Sequence, residues 1–272
     1  MRRRTGTATS SRTQVWRSFA VLTTLAVMTL QGVLSPAGAI IQGQPDGNRH
    51  PYVGMAFNDQ SLCSGSMISP TVFLTAGHCT ELFKDPSLGQ TWVTFQQDAT
   101  SFPEDHLVES AHTYPGYCGI DGGDCSPGLP RFATPDVGVL ILAEPVSLSR
   151  YGLLPDVNLV DSLSPGTRLT VVGYGIRDQE RDLDPGEFAK RFFARTKLIE
   201  NRSTTSDVVI KVADNPAKGG LCFGDSGGPH LLRNTDTIVG VNSFVTNINC
   251  AGVAYSARID TPEVLGWIQS FL

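Results

Sequence analysis

The sequence predicts an all-β protein built from closed or packed sheets, and two observations carry that expectation. From residue 40 onward the chain is a series of short runs rich in Val, Ile, Thr and Phe. Each run is broken by Gly, Pro, Asn or Asp, the pattern of strands joined by tight turns. Amphipathic helical spacing is scarce by comparison. The clearest strand runs are Val53–Phe57, Val72–Thr75, 91–95, Gly138–Leu142, 168–172, 208–212, 238–244 and 253–257. The exception is 262–272, where Val264, Leu265, Ile268 and Leu272 recur at helical spacing behind Pro262, a residue suited to a first turn. No internal repeat is visible. Two segments read as insertions: 114–135, rich in Gly, Pro and Asp, and 178–188, charged and expected at the surface.

Residues 1–39 read as a leader. Arg2, Arg3, Arg4, Arg12 and Arg17 make its start basic with no acid, 19–34 is largely apolar, and Ala37-Gly38-Ala39 has the small-x-small form of a signal-peptidase site. A membrane anchor is the rival. The apolar run is short for a span of about 20 residues and contains Thr23, Thr24, Thr29 and Gln31, so cleavage and secretion without a stable membrane anchor are expected. Cleavage after Ala39 would expose Ile40; cleavage after Ala37 would leave Gly38-Ala39 in front of it.

The whole chain has 21 basic and 26 acidic residues, net −5. Removal of the leader takes five arginines and no acid, leaving 16 against 26, or −10. Such a balance argues against nucleic-acid binding. Six cysteines, an even number, fit an oxidising compartment and leave their pairing open. Cys118 and Cys125 have no histidine or third cysteine nearby, so a metal site there is disfavoured.

Three separated residues point to chemistry. Ser226 lies in Gly224-Asp225-Ser226-Gly227-Gly228-Pro229, where glycines let a substrate approach and backbone N–H groups converge. A serine hydroxyl needs a base to become a nucleophile. His78, in Thr75-Ala76-Gly77-His78-Cys79, offers one, and Asp136, ahead of the apolar 137–142, offers an orienting carboxylate.

That His, Asp, Ser order and those flanks resemble the chymotrypsin/trypsin-like serine proteases over nearly all of 40–272. Ile40-Ile41-Gln42-Gly43 resembles the family's mature N-terminus, and Cys63-Ser64-Gly65-Ser66-Met67-Ile68 the strand before its histidine. Val171-Val172-Gly173-Tyr174-Gly175, Ser243-Phe244-Val245 and the C-terminal helix also fall in register. The resemblance implies two six-stranded antiparallel β-barrels, about 40–150 and 151–272, joined near 145–161, and a C-terminal helix. It implies disulfides Cys63–Cys79 and Cys222–Cys250, leaving Cys118 for Cys125.

The site roles also come from the resemblance. His78, Asp136 and Ser226 form the triad, and the N–H groups of Gly224 and Ser226 form the oxyanion hole. The Ile40 amine pairs with Asp225. Ser243 either hydrogen-bonds Asp136 or is a plain strand serine. Gly220, Leu221, Ser243 and Val245 contact substrate. With no acid at Gly220 and a bulky Val245 on the wall, the expected cleavage follows small or medium apolar residues. The expected protein is a monomeric, secreted serine endopeptidase acting on protein or peptide substrates, open to protein inhibitors, with no cofactor or metal. The alternatives are an inactive protease-like binding protein, weakened by the retention of Ser226 and His78, and an esterase using the same triad.

Overall fold

A computed structural model describes residues 40, 43–119, 134–176, 188–201, 207–215 and 219–272. After a two-residue strand, β1 (Gln44–Pro45), come β2 (Val53–Phe57), β3 (Leu62–Met67), β4 (Val72–Thr75), β5 (Trp92–Thr94), β6 (His106–Thr113) and β7 (Gly138–Leu142). These last six close an antiparallel barrel in the order β2-β3-β4-β7-β6-β5. The later strands are β8 (Arg168–Gly173), β9 (Phe192–Glu200), β10 (Val209–Asp214), β11 (Pro229–Leu232), β12 (Ile238–Val245) and β13 (Gly252–Arg258). They run β9-β10-β13-β12-β11-β8, and the β8–β9 ladder closes a second six-stranded barrel, with β1 added beside β9.

Alternation sets which residues face inward. In β9, Ala194, Thr196 and Leu198 are buried while Arg195 and Lys197 are exposed. The core of the second barrel joins Leu169, Val171, Leu198, Ile210, Val212 and Val239, with Ile40 fully buried among them. The first core runs from Met55, Phe73, Val93 and Leu140 onto Val172, Tyr174, Leu231 and Ile238, so it spans the seam between the barrels. Burying a side chain of this size contributes about 1.5–3 kcal/mol. Arg191, also buried, pins the seam: it donates to Val53 O at 2.9 Å and Phe95 O at 3.0 Å and pairs with Asp46 at 3.1 Å. Helix α1 (Gly77–Phe83) follows β4 directly, and α2 (Pro262–Gln269) buries Val264, Leu265 and Ile268 of the face read from the sequence, while Leu272, expected on that face, lies beyond the helix end and is exposed.

Strands β1, β3, β6, β9 and β11 lie outside the eight runs named above, β3 being read only from the resemblance, and β6 and β9 are the longest of them. Every residue of β6 is partly exposed, so its sequence HLVESAHT lacks a clean apolar face. In β9 the polar members Arg195, Thr196 and Lys197 interrupt the apolar signal. Helix α1 is two turns long and has no side-chain cap, which leaves little to read. Cys63–Cys79 and Cys222–Cys250 are bonded as the resemblance implied. Cys118 is disulfide-bonded too, while Cys125, the leader 1–39 and most of both insertions lie outside the described residues. Among the described residues no helix is long and apolar enough to cross a membrane.

Candidate active site

Three elements bring the site together. His78 opens α1, immediately after β4, and the Cys63–Cys79 disulfide ties its neighbour to β3. Asp136 precedes β7, the strand paired with β4, so the ladder Thr75↔Gly138 carries it beside the helix. Its carboxylate accepts twice from His78, from the backbone N–H at 2.8 Å and from ring Nδ1 at 2.7 Å. The first of these satisfies an otherwise orphaned N–H of the helix start, and the second holds the ring with Nε2 free of this carboxylate. Ser243 donates to the same carboxylate at 2.5 Å. The β12–β13 register slips between Asn242 and Phe244, and this bulge aims Ser243 away from the ladder.

The charges balance accordingly. Burial pushes the Asp136 carboxyl up, but the charge and hydrogen bonds of His78, with the Ser243 bond, outweigh it and hold the group below the ordinary carboxylate range. Burial pulls His78 down, and the Asp136 charge and hydrogen bond overcome it, so the imidazole stands above its usual value. A second His–Asp contact, His50 to Asp46 at 2.5 Å, differs in that Arg191 also pairs with that carboxylate, at 3.1 Å.

Ser226 is carried by the turn 222–228. The turn is drawn tight by Asp225 N to Cys222 O at 3.1 Å and Gly228 N to Asp225 O at 3.0 Å. Gly224 has φ +91° and Gly227 φ +81°, and a Cβ on Gly227 would lie 2.0 Å from Thr75 Oγ1. The serine turn thus presses on the residue that ends β4, three before His78. Ser64 N donates to Ser226 O at 2.8 Å and Ser64 Oγ to Gly224 O at 2.9 Å, locking the turn to the first barrel. Among the described residues, the N–H groups of Gly224 and Ser226 donate to no protein acceptor.

Behind this turn lies a cavity of about 220 Å³ lined by Leu221, Phe223, Ser226, Ser243, Phe244 and Val245, with Cys222, Asp225 and Asn242. Three of the four residues expected to contact substrate line it; Gly220 does not. The space that a Gly220 side chain would fill is taken by Asp214, whose Oδ1 lies 1.5 Å from the position of such a Cβ. Asp214, the last residue of β10, is 2% exposed, and among the described residues its carboxylate meets no cation and only the Leu221 backbone as a polar neighbour. Burial pushes its carboxyl up to about 7. Sequence reasoning missed this acid because it is six residues away from Gly220 and belongs to another element.

Asp225 is fully buried. Its oxygens accept from Gly175 N and Cys222 N, both at 2.9 Å, and burial pushes it up to about 7, with the nearby Asp214 charge adding to the rise. In the full-length chain Ile40 N is a peptide nitrogen and carries no charge to pair with Asp225. The three-member group Cys63, His78 and Cys79 is not a metal centre, since both sulfurs are spent in the disulfide.

Two closed antiparallel barrels, with a His–Asp couple from the first and a glycine-flanked serine turn from the second, define the two-barrel serine peptidases. The family described as Trypsin matches residues 40–268, and the chain belongs to that family. A cercarial protease of Schistosoma mansoni is 28% identical, covering 84% of this chain and 88% of its own. A tryptase of Mus musculus is 29% identical, covering 73% and 75%. Among solved structures, HL collagenase shares the fold with a TM-score of 0.61 at 20% identity, over 82% of this chain and 93% of its own.

Proposed function

We propose that the protein is a secreted serine endopeptidase that hydrolyses peptide bonds through an acyl-enzyme on Ser226. The observation that carries the reading is the His78–Asp136–Ser243 hydrogen-bonded set beside the Ser226 turn. His78, held by Nδ1, takes the Ser226 proton at Nε2 as the hydroxyl attacks the carbonyl carbon, then passes it to the leaving amine. The buried Asp136 stabilises the imidazolium formed in between. The unclaimed N–H groups of Gly224 and Ser226 receive the developing oxyanion; one such donor is worth roughly 3–4 kcal/mol in other enzymes. Water then reverses the sequence and frees the acid product.

Leu221, Phe244 and Val245 give the cavity apolar walls, which supports small or medium apolar side chains at the cleaved residue. Asp214 lies outside that lining, shielded from solvent. For the catalytic turn to persist with Asp225 ionised, the buried carboxylate needs a cation, and the amine of a chain beginning at Ile40 supplies it. Export with cleavage after Ala39 therefore activates the enzyme in one step. The test is a peptide-library cleavage profile of the chain beginning at Ile40, with Ser226→Ala as control. Cleavage after Ala, Val or Leu, absent in the control, supports the reading. No peptide cleavage alongside turnover of simple esters would assign the site to an esterase, and loss of both activities to a binding protein.

A further inference from the structure

Arginines from four separate segments line one groove of about 360 Å³, none of them shared with the catalytic cavity: Arg49 before β2, Arg150 between the barrels, Arg195 on β9 and Arg233 after β11. Strand alternation puts them there. Because Ala194, Thr196 and Leu198 face the barrel interior, Arg195 and Lys197 must face out, and the ladder sets Lys197 opposite the exposed Arg168. The basic face thus continues past the groove, with positions two residues apart separated by about 7 Å.

The groove is also short of counter-charge. Its lining holds one acid, Asp236, which accepts from Tyr52 Oη at 2.9 Å and pairs with Arg150 at 3.5 Å. Arg195 and Arg233 have no acidic partner among the described residues, and Arg233 Nε is buried with no acceptor. Arg49 is fixed in advance: its Nη1 donates to Pro45 O at 3.0 Å and Asp46 O at 2.7 Å, and its guanidinium lies 4.9 Å from the Phe193 ring centre. In a chain whose mature balance is −10, this concentration of unneutralised guanidinium is not a reflection of composition. Guanidinium forks match the paired oxygens of sulfate and phosphate, and several placed in a row match a ligand bearing more than one such group.

We infer that this groove binds a polyanion bearing sulfate or phosphate groups. The contact anchors the enzyme without occupying its catalytic cleft.

The experiment uses the chain beginning at Ile40, with fluorescent dextran sulfate, inorganic polyphosphate, polyglutamate and inorganic sulfate as probes, titrated at rising salt. Binding of dextran sulfate or polyphosphate that weakens with salt is expected, and the stronger of the two identifies the source of the oxyanion. Arg195→Ala combined with Arg233→Ala should weaken it at least tenfold while short-peptide cleavage is unchanged. Arg195→Ala alone, at a solvent-facing position, should weaken it several-fold and guards against misfolding of the pair. Equal binding of wild type and Arg195→Ala overturns the inference. So does polyglutamate bound as tightly as the sulfated polymer, which would assign the groove to acidic protein, or inorganic sulfate bound as tightly as either polymer.

Discussion

Retaining Gly38-Ala39 ahead of Ile40 should make the folded protein lose stability as pH rises, and the size of the loss follows from Asp225. Its carboxyl has an ordinary value of 3.8 and is pushed up to about 7 by burial in the full-length chain. A carboxyl raised on folding binds its proton more tightly in the native state. Stability is therefore greatest below about 4 and falls as pH climbs to 7. That rise corresponds to about 4 kcal/mol, a large share of the roughly 5–15 kcal/mol that holds a domain folded. In a chain beginning at Ile40 the amine pairs with Asp225, the carboxylate is favoured, and that loss disappears. The assay is urea unfolding from pH 4.5 to 7.5 on two Ser226→Ala proteins, one beginning at Gly38 and one at Ile40. Asp214→Asn should reduce the slope in both, because no cation pairs with Asp214 among the described residues. Identical pH slopes for the two N-termini would refute the reasoning.

Ser226→Ala should abolish peptide cleavage while leaving the urea midpoint unchanged, checked by progress curves and circular dichroism. Because Asp136 raises His78, which must be neutral to act as base, kcat/KM should fall as pH drops through a value above the 6.5 of a free imidazole. Asp136→Asn should move that acid limb to lower pH and cut kcat by about 10³-fold or more, read from a pH–rate profile. Ser243→Ala removes one hydrogen bond to the Asp136 carboxylate and should lower kcat about tenfold, near 1.4 kcal/mol, with KM little changed in steady-state kinetics. Val245→Gly should widen the cavity toward Asp214 and raise kcat/KM for Lys peptides, and adding Asp214→Asn should cancel that gain.

Local signals in the sequence carried much of this structure, and its long-range features were the ones they missed. Apolar runs with β-branched residues, such as Val53–Phe57 and Gly138–Leu142, emerge as strands with those bounds because every residue or nearly every residue in them is buried. Strand β6 is half-exposed along its length and is stabilised by neighbours on both sides, which a window of eight residues does not contain. At the site, the motifs around His78 and Ser226 are contiguous and therefore legible. Ser243 had two open readings, and only the bulge at Asn242 decides that its hydroxyl meets Asp136. Asp214 is the clearest gap: Gly220 read as a position with no acid, whereas the fold brings an acid from β10 into the space the glycine leaves. The basic groove was equally hidden, since its arginines are spread from 49 to 233 and gather only when the second barrel closes.

The central claim is that Ser226, activated by His78 and Asp136, is the nucleophile. The most direct measurement is intact-protein and peptide mass spectrometry after treatment of the chain beginning at Ile40 with a sulfonyl fluoride. One covalent adduct on Ser226 is predicted, forming in step with loss of peptidase activity and greatly slowed in His78→Ala. Full peptidase activity in a protein with Ser226 quantitatively modified, or an inactivating adduct on any other residue, would contradict the account.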